Sequence, residues 1–308
     1  MYKFNKLFFL AAILLLGTIS CNDDAVFQKE MYKHVISLIS GEQYNVYQEV
    51  VKLTGGKTTG SIALSVGGTK PTTRDVVVSL EESEDPLEFY NISLFDRDEE
   101  EYAHALDKNQ YELESYDVTI PKGERVGTTK VSINPEGLSP DSVYFIPLKI
   151  VGLSDTTSFE INEEHSTILF QVLIENEYAS QAKTSMYKMS GILDEAPTAG
   201  NVRMLPLSHN KVRINAGGIA YQPSLEVIDN SSIVLEVLED NSISITPYKN
   251  IGVIQLDNNP DYPNKFVREE DRFGRVYNDF LLSYEYTTDG GVTWRKIDEE
   301  LRMEVIKE

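Results

Sequence analysis

Apolar residues fall at every second position, run after run, along this 308-residue chain, and glycine, proline or aspartate separates the runs. That period belongs to strands, because successive side chains of a strand point to opposite faces. Residues 61–66 (SIALSV) alternate and end at Gly67-Gly68. Residues 75–80 (DVVVSL) form a β-branched run, residues 116–120 (YDVTI) alternate and stop at Pro121-Lys122-Gly123, and residues 129–133 (TKVSI) alternate again. Longer runs occupy 144–151 (YFIPLKIV) and 166–174 (STILFQVLI). Such spacing predicts an all-β fold, with a β-sandwich over residues 31–176. Pro147 inside a run predicts an edge strand or a bulge, since proline cannot donate to a ladder. Residues 96–106 (DRDEEEYAHAL) are rich in helix formers and are expected to hold a short helix or a long loop.

Length is consistent with about two domains, at ~150 residues each. Residues 175–184 (ENEYASQAKT) are polar, lack strand character and mark the boundary. Beyond it, strand runs are read at 186–192, 211–215, 225–228, 232–238, 242–247, 252–256 and 276–287, with a closing strand at 301–306. In the run 276–287, Phe280, Leu282, Tyr284 and Tyr286 share one face. About six to eight antiparallel strands over residues 184–308 fit a small antiparallel barrel or sandwich. No repeat of about 20–50 residues is present, which argues against a propeller.

The first twenty residues stand apart. Lys3 and Lys6 precede a ten-residue apolar run at 7–16 (LFFLAAILLL). That run is too short to span a bilayer comfortably and has the length of a signal-peptide core. Gly17, Thr18 and Ser20 lead to Cys21, the only cysteine in the chain, so a disulfide within the chain is excluded. Thr18-Ile19-Ser20-Cys21 resembles a bacterial lipobox, with threonine where leucine is usual. The resemblance implies a signal peptide at 1–20, acylation of Cys21 and a tether over 21–30. Acyl chains worth ~0.8 kcal/mol per buried CH₂ would then hold the protein on a membrane. Asn22, Asp23 and Asp24 resemble the surface-export signal of Bacteroidetes lipoproteins, which implies an outer-membrane protein facing outward.

Removing Lys3 and Lys6 from the chain's 28 basic residues leaves 26 against 49 acidic ones, a net charge of −23. Phosphate backbones would repel such a chain, so nucleic acid is excluded as a partner. Contact of the folded surface with anionic lipid is excluded on the same ground, leaving the lipid anchor as the membrane attachment.

Near the C-terminus, residues 287–294 (TTDGGVTW) read almost as the Asp-box S-x-D-x-G-x-T-W of sialidases. The physical content is a hairpin. Asp289 can accept backbone N–H bonds across a tight turn, Gly290 and Gly291 permit positive φ, and Trp294 can pack over the turn. In sialidases the box recurs on propeller blades away from the chemistry, and here it occurs once, so a structural hairpin is the expectation. A glycosidase needs two placed carboxylates, but 49 acidic residues make some pair inevitable. The chain has no family-18 D-x-x-D-x-D-x-E, G-x-S-x-G, H-E-x-x-H or P-loop signature. His34, His104, His165 and His209 are scattered. Asp257-Asn258-Asn259-Pro260-Asp261 alternates oxygen ligands as calcium loops do, but lacks their glycine and distal glutamate, and reads as a turn. Neither a metal nor a cofactor is expected.

Tyrosine remains. The chain has 17, and tyrosine offers a flat face to sugar C–H groups and a polar edge to hydroxyls. Tyr262 and Tyr277, with Arg268 and Arg272 between them, form the candidate ligand-binding set. Phe89, Tyr90, Tyr221 and Tyr248 also lie in or beside expected loops. Asp141-Ser142-Val143 and Asp155-Thr156-Thr157 fit a bacterial O-glycosylation triplet.

Tyr44-Asn45-Val46-Tyr47, SIALSVGGT, Asp75-Val76-Val77-Val78, Phe89-Tyr90-Asn91, YDVTIPKGE, VSINPEGL and YFIPLKIVG follow one another in order. This series resembles the immunoglobulin-like domain at the front of many Bacteroidetes surface lipoproteins, some of which carry family-18 endo-β-N-acetylglucosaminidase domains behind it. The resemblance covers about residues 25–175. The second half is similar to an all-β domain that accompanies it in non-enzymatic members, and a lipocalin-like barrel is the expected form. The resemblance implies a cell-envelope protein of a polysaccharide-utilisation system. The expected role is therefore a non-catalytic surface lipoprotein that binds glycans beside an outer-membrane transporter complex. An adhesin or structural subunit with a protein partner is the alternative, and a glycosidase the remaining reading.

Overall fold

Alternating burial runs through both halves of the computed structural model, which describes residues 33–306. Cys21 and the tether lie outside the described residues. In β1 (His34–Leu38), β3 (Thr58–Gly67) and β8 (Val126–Ile133), every second side chain is buried. With β6 (Tyr111–Leu113) and β10 (Phe159–Ile161) they form one sheet, in the order β10-β1-β3-β8-β6. The opposing sheet runs β2-β11-β9-β4-β7, from β2 (Val46–Lys52), β4 (Val76–Glu82), β7 (Asp117–Ile120), β9 (Tyr144–Leu153) and β11 (Thr167–Glu175); β5 (His104–Ala105) adds to β9. Inner faces of the two sheets meet in one apolar core that includes Ile36, Ile62, Leu64, Val78, Ile120, Val131, Ile146, Leu148 and Phe170. This is a β-sandwich, as the alternation predicts.

Pro147 is not on an edge strand: β9 lies between β11 and β4. The sheet tolerates it because β4 ends at Glu82, beside Leu148. On that side Pro147 only accepts, taking the Ser83 N–H at 3.2 Å, so its missing donor breaks no rung of the ladder. The helix also differs from expectation. Residues 96–106 hold only a short 3-10 turn, Glu99–Glu101, and β5. The true helix, α1 (Asp85–Phe95), precedes them, with Pro86 in its first turn and Asp85 and Glu88 at its positive end. It puts Phe89 and Tyr90 on a helix rather than a loop.

The second domain is one antiparallel sheet of β12 (Ser185–Leu193), β13 (Ala196–Pro206), β14 (Lys211–Asn215), β15 (Ser232–Val237), β16 (Ile243–Pro247), β17 (Gly252–Gln255), β18 (Lys265–Glu270), β19 (Val276–Thr287) and β20 (Arg295–Val305). Its order is β16-β15-β14-β13-β12-β20-β19-β17, with β18 sharing the same edge of β19. The two ends of this order meet. Ile243 N–H donates to Asn264 O (2.7 Å), Phe266 N–H to Asn241 O (2.8 Å) and Ile245 N–H to Gln255 Oε1 (2.8 Å). The sheet thus rolls into a barrel with its edges joined. Phe280, Leu282, Tyr284 and Tyr286 of β19 do share one buried face, and with Tyr187, Met189, Leu235, Ile297 and Leu301 they fill the interior. Residues 225–228, read as strand, are helical: α2 (Leu225–Ser231) starts with Ile228 N–H donating to Ser224 O (2.9 Å). Leu-Glu-Val-Ile imitates a strand alternation, but of α2 only Ile228 and Ser231 are buried.

Residues 175–184 do not form a free linker. Asn176 Nδ2 donates to Ser208 O (2.7 Å) and Lys211 O (3.0 Å), while its Oδ1 accepts from Tyr178 and Ala179 N–H. Gln181 Nε2 reaches Pro140 O and Ser142 O, both at 3.2 Å. Beside them Arg213, 1% exposed, grips Asp141 across the domains with two bonds of 2.5 and 2.6 Å. Asp141 of the glycosylation triplet is thereby a structural anchor.

Candidate functional site

Register across the barrel wall decides what its outer face presents. On β20 the odd positions Ile297, Glu299 and Leu301 are buried inward, so Glu300, Arg302 and Glu304 point out. Lys188 of β12 lies opposite Arg302, and Arg302 lies opposite Asp279 of β19. Tyr277 stands next along β19, opposite Glu304. The β18–β19 turn then folds Asp271 and Arg275 over this face. Asp271 Oδ1 accepts the N–H groups of Phe273 (2.8 Å) and Arg275 (3.0 Å), and its Oδ2 takes Arg275 Nε (2.8 Å). The result is a basin of about 520 Å³ lined by Met186, Lys188, Asp271, Arg275, Tyr277, Arg302, Met303 and Glu304.

Arg302 is its organising side chain. The guanidinium sits 4.2 Å from the Tyr277 ring centre, and Nη1 donates to Asp279 Oδ2 (3.0 Å) and Glu300 Oε1 (3.4 Å). Arg275 lies 5.8 Å from the same ring. Lys188 faces Arg302. The charge of Arg302 is met by Asp279 and Glu300, which leaves Lys188 as the cation of this face without an ion pair among the described residues. Asp279 is 3% exposed, and its Oδ1 has no partner. Burial pushes its carboxyl up to about 6 despite Arg302, with Glu300 and Glu269 adding to the rise.

Of the four residues singled out in sequence, only Tyr277 lines the basin. Arg268 sits on β18 opposite Asn278, and its guanidinium is spent on an ion pair with Glu177. Arg272 lies in the turn, stacked at 4.8 Å on the Phe273 ring. Tyr262 precedes β18 and so lies at the other end of that strand. Lys188, Arg275, Arg302 and Met186 escaped sequence reading because they come from three separate segments. The legible signal was the alternation of β20, which forces Glu300, Arg302 and Glu304 onto one face.

The TTDGGVTW hairpin lies at the opposite end of β19, roughly 35 Å away for an extended strand. Asp289 Oδ1 accepts from Thr287 Oγ1 (2.7 Å), Thr293 N–H (2.9 Å) and Val292 N–H (3.0 Å). The Thr293 N–H, first among these, holds the carboxyl down to about 2. Gly290 and Gly291 adopt φ of 76° and 97°. Trp294 packs over Gly252 of β17, where an added Cβ would come within 3.2 Å of its ring. Asp257 Oδ1 is likewise engaged in its turn, by Gln255 Nε2 at 2.7 Å.

The two most strongly raised carboxyls cannot flank one bond. Asp279 points outward, while Glu299 is fully buried inside the barrel. Burial pushes Glu299 up to about 7, although Tyr284 Oη donates to it at 2.7 Å. Among the described residues no three His, Cys, Asp or Glu side chains are placed to hold a metal.

A family model described as an N-terminal domain matches residues 27–157, and one described as C-terminal matches residues 166–302. A comparison with curated proteins found no match. Among solved structures, the chain is similar to two Bacteroides ovatus proteins of unknown function. One has 17% identity and a TM-score of 0.64, covering 88% of this chain and 94% of that one; the other has 17% and 0.63, covering 92% and 94%. It is also similar to an auxiliary nutrient binding protein from Bacteroides thetaiotaomicron, with 12% identity and a TM-score of 0.59, covering 86% and 94%. These likenesses establish the two-domain β architecture.

Proposed function

We propose, from the premise that this chain is built of the N-terminal and C-terminal domains of the two families it matches, that it is a non-catalytic cell-surface protein that binds glycans. The Tyr277 basin carries this reading. It sets an aromatic ring among fixed guanidinium donors, the carboxylate acceptor Glu304 and two thioether side chains. Sugars need that mixture: an apolar surface for C–H groups and charged hydrogen-bond partners for hydroxyls. Lys188 suits a sugar that bears a carboxylate. A fold shared with a protein described as nutrient-binding is in keeping with this role.

The protein would sit on the outer membrane, facing outward, through acyl chains on Cys21, and deliver glycan to a neighbouring transporter complex. Affinity electrophoresis of the soluble form starting at Asn22 tests the binding. Retardation by at least one glycan, lost in Arg302→Ala, is the expected result; uniform failure across host and plant glycans overturns it. Labelled fatty acid should enter the wild-type chain and not Cys21→Ser, which tests the anchor. No turnover of sialyl or N-glycan substrates is expected.

A further inference from the structure

The sandwich carries a second surface with a different composition. Phe89, on α1, is 63% exposed, and its ring lies 5.9 Å from that of Tyr44. Together they wall a cleft of about 830 Å³ whose other lining includes Glu42, Gln43, Asn45, Glu164 and His165. No lysine or arginine lines it.

The aromatic wall is held rigidly. Tyr44 stacks edge-on against Tyr90 (5.4 Å), and Tyr90 against the fully buried Phe145 (5.0 Å), so a line of rings runs from core to surface. Tyr44 and Asn45 are consecutive non-glycine residues with φ of 56° and 54°. Such conformations persist only where their surroundings enforce them. Here Asn45 Nδ2 donates to Glu164 O (2.8 Å) and Thr167 Oγ1 (3.1 Å), and Asn45 O accepts the Leu169 N–H (3.0 Å). Next to this clamp are open polar groups. The side chains of Glu42, Gln43 and Glu164 make no hydrogen bond or ion pair among the described residues. His165 Nδ1 is buried without a partner.

We infer that this cleft is a second carbohydrate subsite, one that takes neutral sugars. The bare Phe89 face would stack on sugar C–H groups, while Gln43, Glu42 and Glu164 take hydroxyls. Two acids with no cation beside them repel carboxylated or sulfated sugars, which the Tyr277 basin tolerates. Tyr44, braced against Tyr90, is a preorganised ring beside Phe89 and costs little entropy on binding. The inference rests on the glycan-binding reading and adds a site and a ligand class to it.

Affinity electrophoresis of the full mature chain against neutral and acidic polysaccharides tests it, with Phe89→Ala, Gln43→Ala and Arg302→Ala. Phe89→Ala should weaken binding of a neutral glycan about tenfold, the scale of losing one stacked ring, without changing retention of an acidic one. Because Phe89 is exposed, the melting temperature of that variant should hold. If wild type binds glycans while Phe89→Ala and Gln43→Ala bind them unchanged, the cleft is overturned and the surface role survives. If wild type binds none, both fall. Loss of an apolar peptide instead of sugar on Phe89→Ala also overturns the subsite.

Discussion

The sandwich and the barrel bury different chemistry. In the sandwich the buried polar side chains are His34, Thr72, Ser83, Asn91 and Thr129, and the core between its sheets is aliphatic and aromatic. The barrel buries Arg213, Asp279 and Glu299, together with Asn215, Asn264, Asn278 and Ser283. The sandwich closes its core by laying two faces together, which apolar side chains satisfy alone. The barrel closes on itself and against a neighbouring domain, and fixed polar pairs set where those seams fall. Asn264 illustrates the point: its backbone O accepts from Ile243 at the seam, while its side chain receives Ser283 N–H (2.8 Å) and donates to Leu256 O (2.8 Å).

The largest expected effect lies where the two regions meet. Removing Arg213 leaves the mostly buried Asp141 without its cation and with only a 3.4 Å contact from Tyr221 Oη, and truncating one member of a buried pair typically costs about 3–5 kcal/mol. Arg213→Ala should therefore lower the urea midpoint strongly and separate the unfolding of barrel and sandwich into two transitions. Arg213→Met should cost less, because it refills the volume over Tyr248, whose ring lies 4.9 Å from the guanidinium. Coincident transitions in Arg213→Ala would mean that the pair does not couple the domains.

One carboxyl in each region should respond to pH with opposite sign. Glu299 is held at about 7 in the folded barrel, against ~4.3 in an unfolded chain. Between those values the unfolded state has lost its proton and the folded state has kept it. The Glu299 contribution is thus full below about pH 4 and falls by about 3 kcal/mol as pH rises to 7, while that of Asp289, held down to about 2, is lost only at lower pH. In the sandwich, desolvation pushes Glu82 up, but Lys108, Tyr116 and Tyr111, all donating to it, outweigh this and hold it below the usual range. That contribution is present above the unfolded pKa and disappears as pH falls through the folded one. Acidification from neutrality should therefore first strengthen the barrel and then weaken the sandwich. Glu299→Gln, which keeps an acceptor for Tyr284, should flatten the barrel's slope and raise its stability at pH 8. Denaturation curves at pH 5 and 8, followed by the single tryptophan, Trp294, in the barrel, would read this directly.

How far each region could be read from sequence follows the same division. In β3 and β8 the pattern of alternate burial is the amino-acid pattern itself, because one face is core and the other solvent. The stripe Phe280, Leu282, Tyr284 and Tyr286 was legible for the same reason. α1 was not, although Asp85-Pro86 is a sound helix start. Its Phe89-Tyr90-Asn91-Ile92 stretch mixes β-favouring residues, and the acids that follow drew the helix forward. Pro147 was misplaced because a sequence does not say where the neighbouring strand ends. Polar seams were the least legible. Arg213 and Asp141 stand 72 positions apart, and neither carries a local sign of the other. The basin was found only at Tyr277, since its cations come from β12, the β18–β19 turn and β20.

The smallest expected effect concerns the hairpin, and it bears on whether the barrel's turns carry function or only shape. Gly290 has φ of 76°, where a side chain is strained, yet a Cβ there meets nothing within 4 Å. Gly290→Ala should therefore cost about 1 kcal/mol through the backbone alone. It should lower the barrel's melting temperature by a few degrees and leave the sandwich and every glycan affinity untouched. The turn stands at the far end of β19 from Tyr277, and its one carboxylate already takes three donors from its own loop. A tight turn whose polar atoms are so occupied has little left to offer a sugar. A Gly290→Ala chain that kept its stability but lost glycan retention would therefore place the binding face at the hairpin, and would displace the basin as the barrel's site.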